Sequence, residues 1–297
     1  MKEIILLLIA AFIIQFTTAG CENNEETETT EPTGILNKSA ELNLITDGFE
    51  FAEGPTYNSE YLFFSDIGAN TIYKWSEEDG ISAFNSNSGG ANGLYFDNTG
   101  NLYACEGAAK QVVIYEITGQ KQILASEFNG VPLNEPNDLW IAQNGNVYFS
   151  DPVYTGTLTQ DGEHVYCVSS SNGEISRVAD DLIRPNGIVG NDEGTVLYIT
   201  DHGAGKTYRY TIEFNGSLSN KELFVSVGAD GLTIDNEGNV YLASNDILVY
   251  NSTGELIETI NVPGTLTNLC FGGVEGKTLF ITTHDALYSL DMNVQGN

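Results

Sequence analysis

Basic residues are scarce in this chain: Lys and Arg number 11 against 41 Asp and Glu, a formal charge of −30 over 297 residues. Nucleic acid and anionic membrane surfaces both need a basic patch, so neither is expected as a partner. Histidine occurs at only three positions, His164, His202 and His284. The four cysteines, Cys21, Cys105, Cys167 and Cys270, lack the close spacing of a zinc site. Beyond Cys21 an odd three remain, each in or beside an expected strand, where a free thiol behaves as a small buried hydrophobe; no disulfide is expected. The apolar run Ile4 to Phe16 is 13 residues long, short of the roughly 20 that a membrane-crossing helix needs.

That run has another reading. Lys2 precedes it and Thr17-Thr18-Ala19-Gly20-Cys21 follows, the layout of a signal peptide over residues 1–20. Ala-Gly-Cys resembles the end of a bacterial lipoprotein signal, with Cys21 as the lipidated first residue, although Thr18 stands where Leu is usual. The next stretch, ENNEETETTEPTG, has almost no apolar residue and cannot build a core, so residues 21–39 read as a flexible acidic tether. The expected location is the cell envelope, on the periplasmic side of the outer membrane or at the cell surface, with membrane contact only through the lipid.

From about residue 40 to the end one phrase returns six times. Its openings are Glu53-Gly54, Asn92-Gly93, Asn137-Asp138, Asn186-Gly187, Asp230-Gly231 and Asn268-Leu269, spaced 39, 45, 49, 44 and 38 residues apart. Each leads into an apolar strand, a turn and a second strand, clearest in NGLYFDNTGNLYACE and DGLTIDNEGNVYLAS. Periods of this size with β-branched and aromatic alternation predict an all-β, six-bladed β-propeller over residues 40–297. Tyr and Phe in LYF, VYF and VYL are then packing residues between blades, as are Trp75 and Trp140.

Inner strands of a propeller line a central channel. Six equivalent positions at their starts therefore form a ring at one end of it. Two carboxylates and four amides offer only oxygen, which suits a hard cation, Ca²⁺ first, and suits Zn²⁺ or copper poorly; Mg²⁺, Mn²⁺ or Zn²⁺ are kept as alternatives. Asn-Gly and Asp-Gly are also ordinary turn dipeptides, but Glu53 is no turn former. If the first strand of each blade leaves the ring, the second returns to it. The loops after the second strands, including Glu106 to Ala109, Asp151 to Tyr154, Asp201 to Gly203 and Thr283 to Asp285, then surround the ring. That brings Glu106, an expected substrate contact, and His202 and His284, expected catalytic residues, near it, and makes the long insert from Asp151 to His164 a lid or specificity element.

The motifs EGP (53–55), LNEPNDLWI (133–141), FSDPVY (149–154), RPNGI (184–188), DGLTID (230–235) and TNLCFGG (267–273) together resemble the senescence marker protein 30, gluconolactonase and luciferin-regenerating enzyme-like family, its gluconolactonase branch above all. The resemblance covers residues 40 to 290. It implies a calcium-dependent propeller that hydrolyses a small sugar lactone, and a monomer. It places metal ligands on Glu53, Asn137, Asn186 and Asp230, the base on Asp230, and substrate contacts or channel wall on Asn92 and Asn268. His202, His284 or Glu106 could share the work of the base, because a carboxylate on a cation is a weakened base. The branch often has His where this chain has Gly107. Related phosphotriesterases have a His that matches His284, but Thr233 and Cys270 do not fit their second calcium site. An arylesterase or phosphotriesterase on the same metal, and a non-catalytic ligand-binding propeller, are the alternatives.

Overall fold

The computed structural model describes residues 34–297, apart from 38 and 117. The expected signal peptide over residues 1–20 and the expected lipidation site Cys21 lie outside the described residues. Six four-stranded antiparallel sheets follow one another along the chain, and no helix occurs among the described residues. The first runs from Ala52–Tyr57 outward to Gly80–Asn85, the second from Ala91–Phe96 to Lys121–Ala125, and the third from Leu139–Ile141 to Ile175–Ala179. The fourth spans Pro185–Gly190 to Leu218–Val225 and the fifth Leu232–Ile234 to Leu256–Ile260. The sixth is completed from the other end of the domain: Asn43–Asp47 pairs antiparallel with Ala286–Asp291. This closure makes the first and last parts of the domain one blade, so no sheet is left a strand short.

Residues 34–36 also pack on the domain, through a bridge between Leu36 and Met292 and bonds from Asn293 Nδ2 to the carbonyls of Gly34 and Leu36. Residues 34–36 fall within the tether expected over 21–39 and are nevertheless held on the domain. The core lies between blades. Tyr148, Tyr166, Tyr241, Phe64 and Phe149 are its largest fully buried side chains, each stabilising by roughly 1.5–3 kcal/mol on apolar burial. Trp140 is buried among them, while Trp75 is half-buried. Cys105, Cys167 and Cys270 are free thiols.

A ring of hydrogen bonds ties the inner strands together. Going round, Ser65 Oγ donates to the Asn92 carbonyl (2.8 Å), Gly93 N to Asn137 (2.7 Å), Ser150 Oγ to Asn186 (2.7 Å), Gly187 N to Asp230 (2.8 Å), Gly231 N to Thr267 (2.8 Å) and Thr267 Oγ1 to Ala52 (2.7 Å). Close approach explains the glycines. A Cβ on Gly231 would fall 2.0 Å from Asn268 Oδ1, and one on Gly187 would fall 2.7 Å from the Asp230 carbonyl. The repeated Gly is thus a contact between blades, and at Gly54 it also has a positive φ of 51°. True turn glycines occur at the opposite end, where Gly100, Gly145, Gly194 and Gly238 have positive φ.

Candidate functional site

The column is aimed into the channel by defects in the sheets. Glu53 pairs with Ser65 but Thr56 with Phe63, so the inner strand carries one extra residue there. The same slip falls between Ala91 and Leu94, Pro185 and Ile188, and Leu266 and Asn268. A bulge of this kind breaks side-chain alternation and re-aims a residue. In the other two blades the ladder begins only at Leu139 and Leu232, leaving Asn137 and Asp230 just ahead of it. Their N–H groups bond to Ser150 and Ala243 carbonyls, both at 2.9 Å.

Five of the six column residues, Glu53, Asn92, Asn137, Asn186 and Asp230, line one cavity of about 610 Å³ at this end of the channel. Three grooves of about 860 to 990 Å³ elsewhere contain none of them. The rest of the lining is of two kinds: polar, from Asn70, Glu135, Tyr154 and Thr155, and small or apolar, from Phe51, Ile67, Gly89, Gly90, Gly107, Ala108, Ala109 and Pro136. Loops following the second strands supply Ile67, Gly107 to Ala109, Tyr154 and Thr155, as strand direction requires.

Negative charge is poorly accommodated here. Burial, and then the charges of Asp230 and Asp138, hold Glu53 well above the usual carboxylate range, against a 2.7 Å bond from Gly54 N and support from Asn268. Burial pushes Asp138 up to about 7, despite donors at Leu139 N (2.9 Å) and Asn268. Asp230 is pushed up to about 6, again by burial, moderated by His202, Asn186 and His284. No Lys or Arg lines the cavity to offset them. Among the described residues no cluster of three or more His, Cys, Asp and Glu side chains is arranged to hold a metal. What the geometry offers is two carboxylates among amides.

Asn186 shows how the amides are oriented. Its Nδ2 donates to Asp230 Oδ1, and also to Tyr154 Oη at 2.7 Å. Both amide protons are used, which leaves its Oδ1 as the free end.

The remaining expected residues fall in different places. Asn268 is buried but does not line the cavity; its Oδ1 accepts Leu269 N (2.8 Å), and its amide supports Glu53 and Asp138. Glu106 is not a substrate-facing group. It is fully buried and saturated by Lys121 Nζ (2.7 Å), Gln111 Nε2 (2.6 Å) and Tyr115 Oη (2.6 Å). His202 and His284 are exposed and do not line the cavity. His202 Nδ1 lies 3.0 Å from Tyr154 Oη, and the His284 ring packs edge-on to Phe51 at 4.3 Å. His164, at the end of the insert, is buried and bonded to Asp161, without a place in this cavity.

Two members of the site are not evident from the sequence. Asp138 had a signal, since it replaces the glycine that follows the column residue in four other blades. Tyr154 stands in FSDPVY, and nothing in the spacing says that its hydroxyl returns to the ring.

A family model described as the SMP-30/Gluconolactonase/LRE-like region matches residues 51–285. The chain belongs to that family. Among its curated members, a gluconolactonase of Zymomonas mobilis is 28% identical over 287 residues, covering 84% of this chain and 80% of the relative. The solved structure of XC5397, a gluconolactonase of Xanthomonas campestris, superposes with a TM-score of 0.82 at 25% identity, over 87% of this chain and 91% of that one. A calcium-binding regucalcin from Agrobacterium tumefaciens shares the fold, with a TM-score of 0.74 at 18% identity over 86% of this chain and 95% of its own.

Proposed function

We infer that the chain is a lactone hydrolase that works with a divalent cation, Ca²⁺ first, at the channel end. Membership of a family with gluconolactonase relatives supports the reaction class. The observation that carries the cation is the nearness of two column carboxylates, buried Glu53 and half-buried Asp230, in a cavity without a basic residue. An all-oxygen set of carboxylates and amides fits a hard ion. Glu53, Asn137, Asn186 and Asp230 would hold it. When bound, such an ion polarises a lactone carbonyl and stabilises the negative charge that develops on it.

The protein's own groups do the rest. Asn186 holds Asp230 Oδ1 through Nδ2 and keeps its own Oδ1 free. Asp230 takes a proton from the attacking water. Glu106, spent on Lys121, Gln111 and Tyr115, has no part as a base. His202 and His284 lie close enough to Asp230 to favour its charged form. Asn92 lines the wall toward the substrate.

A small sugar lactone is the first substrate to try, on the gluconolactonase relationship. The wall of Phe51, Ile67, Ala108, Ala109 and Pro136 favours a second reading, an aryl lactone or ester on the same site. Some of the backbone donors around it are already used, Gly107 N on Gly90 and Ala109 N on Gly89, both at 3.0 Å, which leaves fewer for a sugar's hydroxyls. The test is hydrolysis of glucono-1,5-lactone and dihydrocoumarin by metal-stripped protein titrated with Ca²⁺, Mg²⁺, Mn²⁺ and Zn²⁺. Cation-dependent turnover is expected; tight cation binding without turnover of either would move the weight to a binding propeller. Anchoring through a lipid on Cys21 belongs to the same proposal, supported by Lys2, the Ile4 to Phe16 run and Ala19-Gly20-Cys21. Cys21→Ala should release the protein from the membrane fraction, and retention there would count against the anchor.

A further inference from the structure

The loop after Asp151 is held from both sides by carboxylates. Glu135 accepts from Tyr154 N (2.7 Å), Thr155 N (3.0 Å), Thr155 Oγ1 (3.0 Å) and Gly156 N (2.6 Å). Burial would raise its pKa, but these donors outweigh that and lower it. Glu163 accepts from Val153 N and Arg184 N, both at 2.9 Å, and the Arg184 guanidinium lies 5.6 Å from the centre of the Tyr154 ring. Tyr154 is therefore a fixed part of the cavity wall.

Counting protons at its hydroxyl decides what it can do. Asn186 Nδ2 can only donate, so the phenol oxygen accepts there, at 2.7 Å. His202 Nδ1 stands 3.0 Å away. In the tautomer with hydrogen on Nδ1, His202 also donates to that oxygen, and the phenol's one proton is left for the cavity. A phenol holds its proton at neutral pH, so this proton stays in place.

We propose that Tyr154 is a catalytic residue whose O–H donates a hydrogen bond to the ring oxygen of the bound lactone, with Glu135 and His202 as positioning residues that aim it. The proposal rests on the lactone-hydrolase reading above. In hydrolysis the water oxygen bonds to the carbonyl carbon and the ring C–O bond breaks. The departing oxygen ends as a hydroxyl, its proton coming from that water, so Tyr154 keeps its own. The ring oxygen gains negative charge as the bond breaks, so the hydrogen bond strengthens in the transition state and shows in kcat. A departing alkoxide needs this help far more than a departing phenoxide.

Tyr154→Phe keeps the ring, the loop and every backbone bond to Glu135. With glucono-1,5-lactone we expect kcat to fall by about 30-fold, and KM and Ca²⁺ affinity to stay within about 2-fold. With dihydrocoumarin, whose leaving oxygen is phenolic, the expected loss is under about 3-fold. Glu135→Gln and His202→Phe should show the same split between substrates at smaller size. Equal losses on both substrates would overturn the proposal, as would Ca²⁺ affinity falling in step with kcat, which would mean that Tyr154 merely supports Asn186. Unchanged kcat on the alkyl lactone would also overturn it. A wild-type protein that turns over neither substrate sinks the lactone-hydrolase reading itself, and this inference with it.

Discussion

Aspartate, asparagine and glycine dominate both ends of the channel, yet the two ends treat charge in opposite ways. At the end away from the cavity, Asp235 is fully buried and its carboxylate takes four hydrogen bonds: Glu237 N, Asn239 N and Asn239 Nδ2, each at 2.9 Å, and Tyr241 Oη at 2.8 Å. Asp97 closes the equivalent turn of the second blade with Thr99 and Asn101. Its pKa is lowered because those bonds outweigh partial burial. At the cavity end Glu53 and Asp138 are also buried and Asp230 is half-buried, but donors are too few and their pKa values rise. A carboxylate with its full set of donors serves the fold. One buried beside its like is poised for a positive partner.

The largest effect expected from this contrast is on Asp230. Asp230→Ala removes one of the two column carboxylates and the acceptor for Asn186, and should cost on the order of 10³-fold or more in kcat/KM and abolish Ca²⁺ binding. Rate assays and calorimetric titration check both, and a variant with full activity would remove the site from consideration.

Next in size is pH. Asp138 at about 7 and Asp230 at about 6 lie above the unfolded value of roughly 3.9, so between those limits the folded, metal-free protein binds more protons than the unfolded chain. Its stability is then fullest below about pH 4 as far as these groups are concerned, and falls as pH rises through 6 and 7. The fall amounts to a few kcal/mol, since each tenfold difference in proton affinity between the folded and unfolded chains is worth about 1.4 kcal/mol. Thermal melts of metal-stripped protein between pH 5 and 8 should show the decline, and saturating Ca²⁺ should flatten it. A metal-free melting temperature that climbs across this range would contradict the picture. Asn268→Leu probes the same frustration from beneath: it should cost about 1–3 kcal/mol in metal-free protein at pH 8 and less at pH 5, where Glu53 and Asp138 are closer to neutral. Equal losses at the two pH values would mean that Asn268 serves packing alone.

The blades and the column were legible because both repeat. Six copies of one phrase give the strand order, and the oxygen column follows from strand direction alone. Single events were not legible. Glu106 ends its strand beside the ring, as direction requires, but Lys121, Gln111 and Tyr115 on adjoining strands claim it. Asn268 occupies the same column as Asn92, yet it lies beneath the carboxylates instead of along the cavity wall. Tyr154 depends on Glu135 and Glu163, and Asp138 hides in a dipeptide that reads as turn chemistry. The bulges that aim the column have no composition of their own.

The smallest effect belongs to the far end, and its sign is the useful part. Asp97→Ala should cost about 1 kcal/mol at pH 7 and leave lactone turnover and Ca²⁺ affinity unchanged, since its partners, Thr99, Asn101 and Tyr103, lie in its own turn and the start of the strand after it, away from the cavity. Because the folded pKa of Asp97 lies below the unfolded one, its contribution is present above about pH 4 and is lost as pH falls through the folded value. Acid therefore erases the difference between wild type and Asp97→Ala, whereas at the cavity end acid relieves the strain that Asn268→Leu exposes. Melting both variants from pH 3 to pH 8 sets the two signs side by side. Matching trends would mean that the two sets of carboxylates are not differently served, and the case for a cation at the cavity end would lose its electrostatic support.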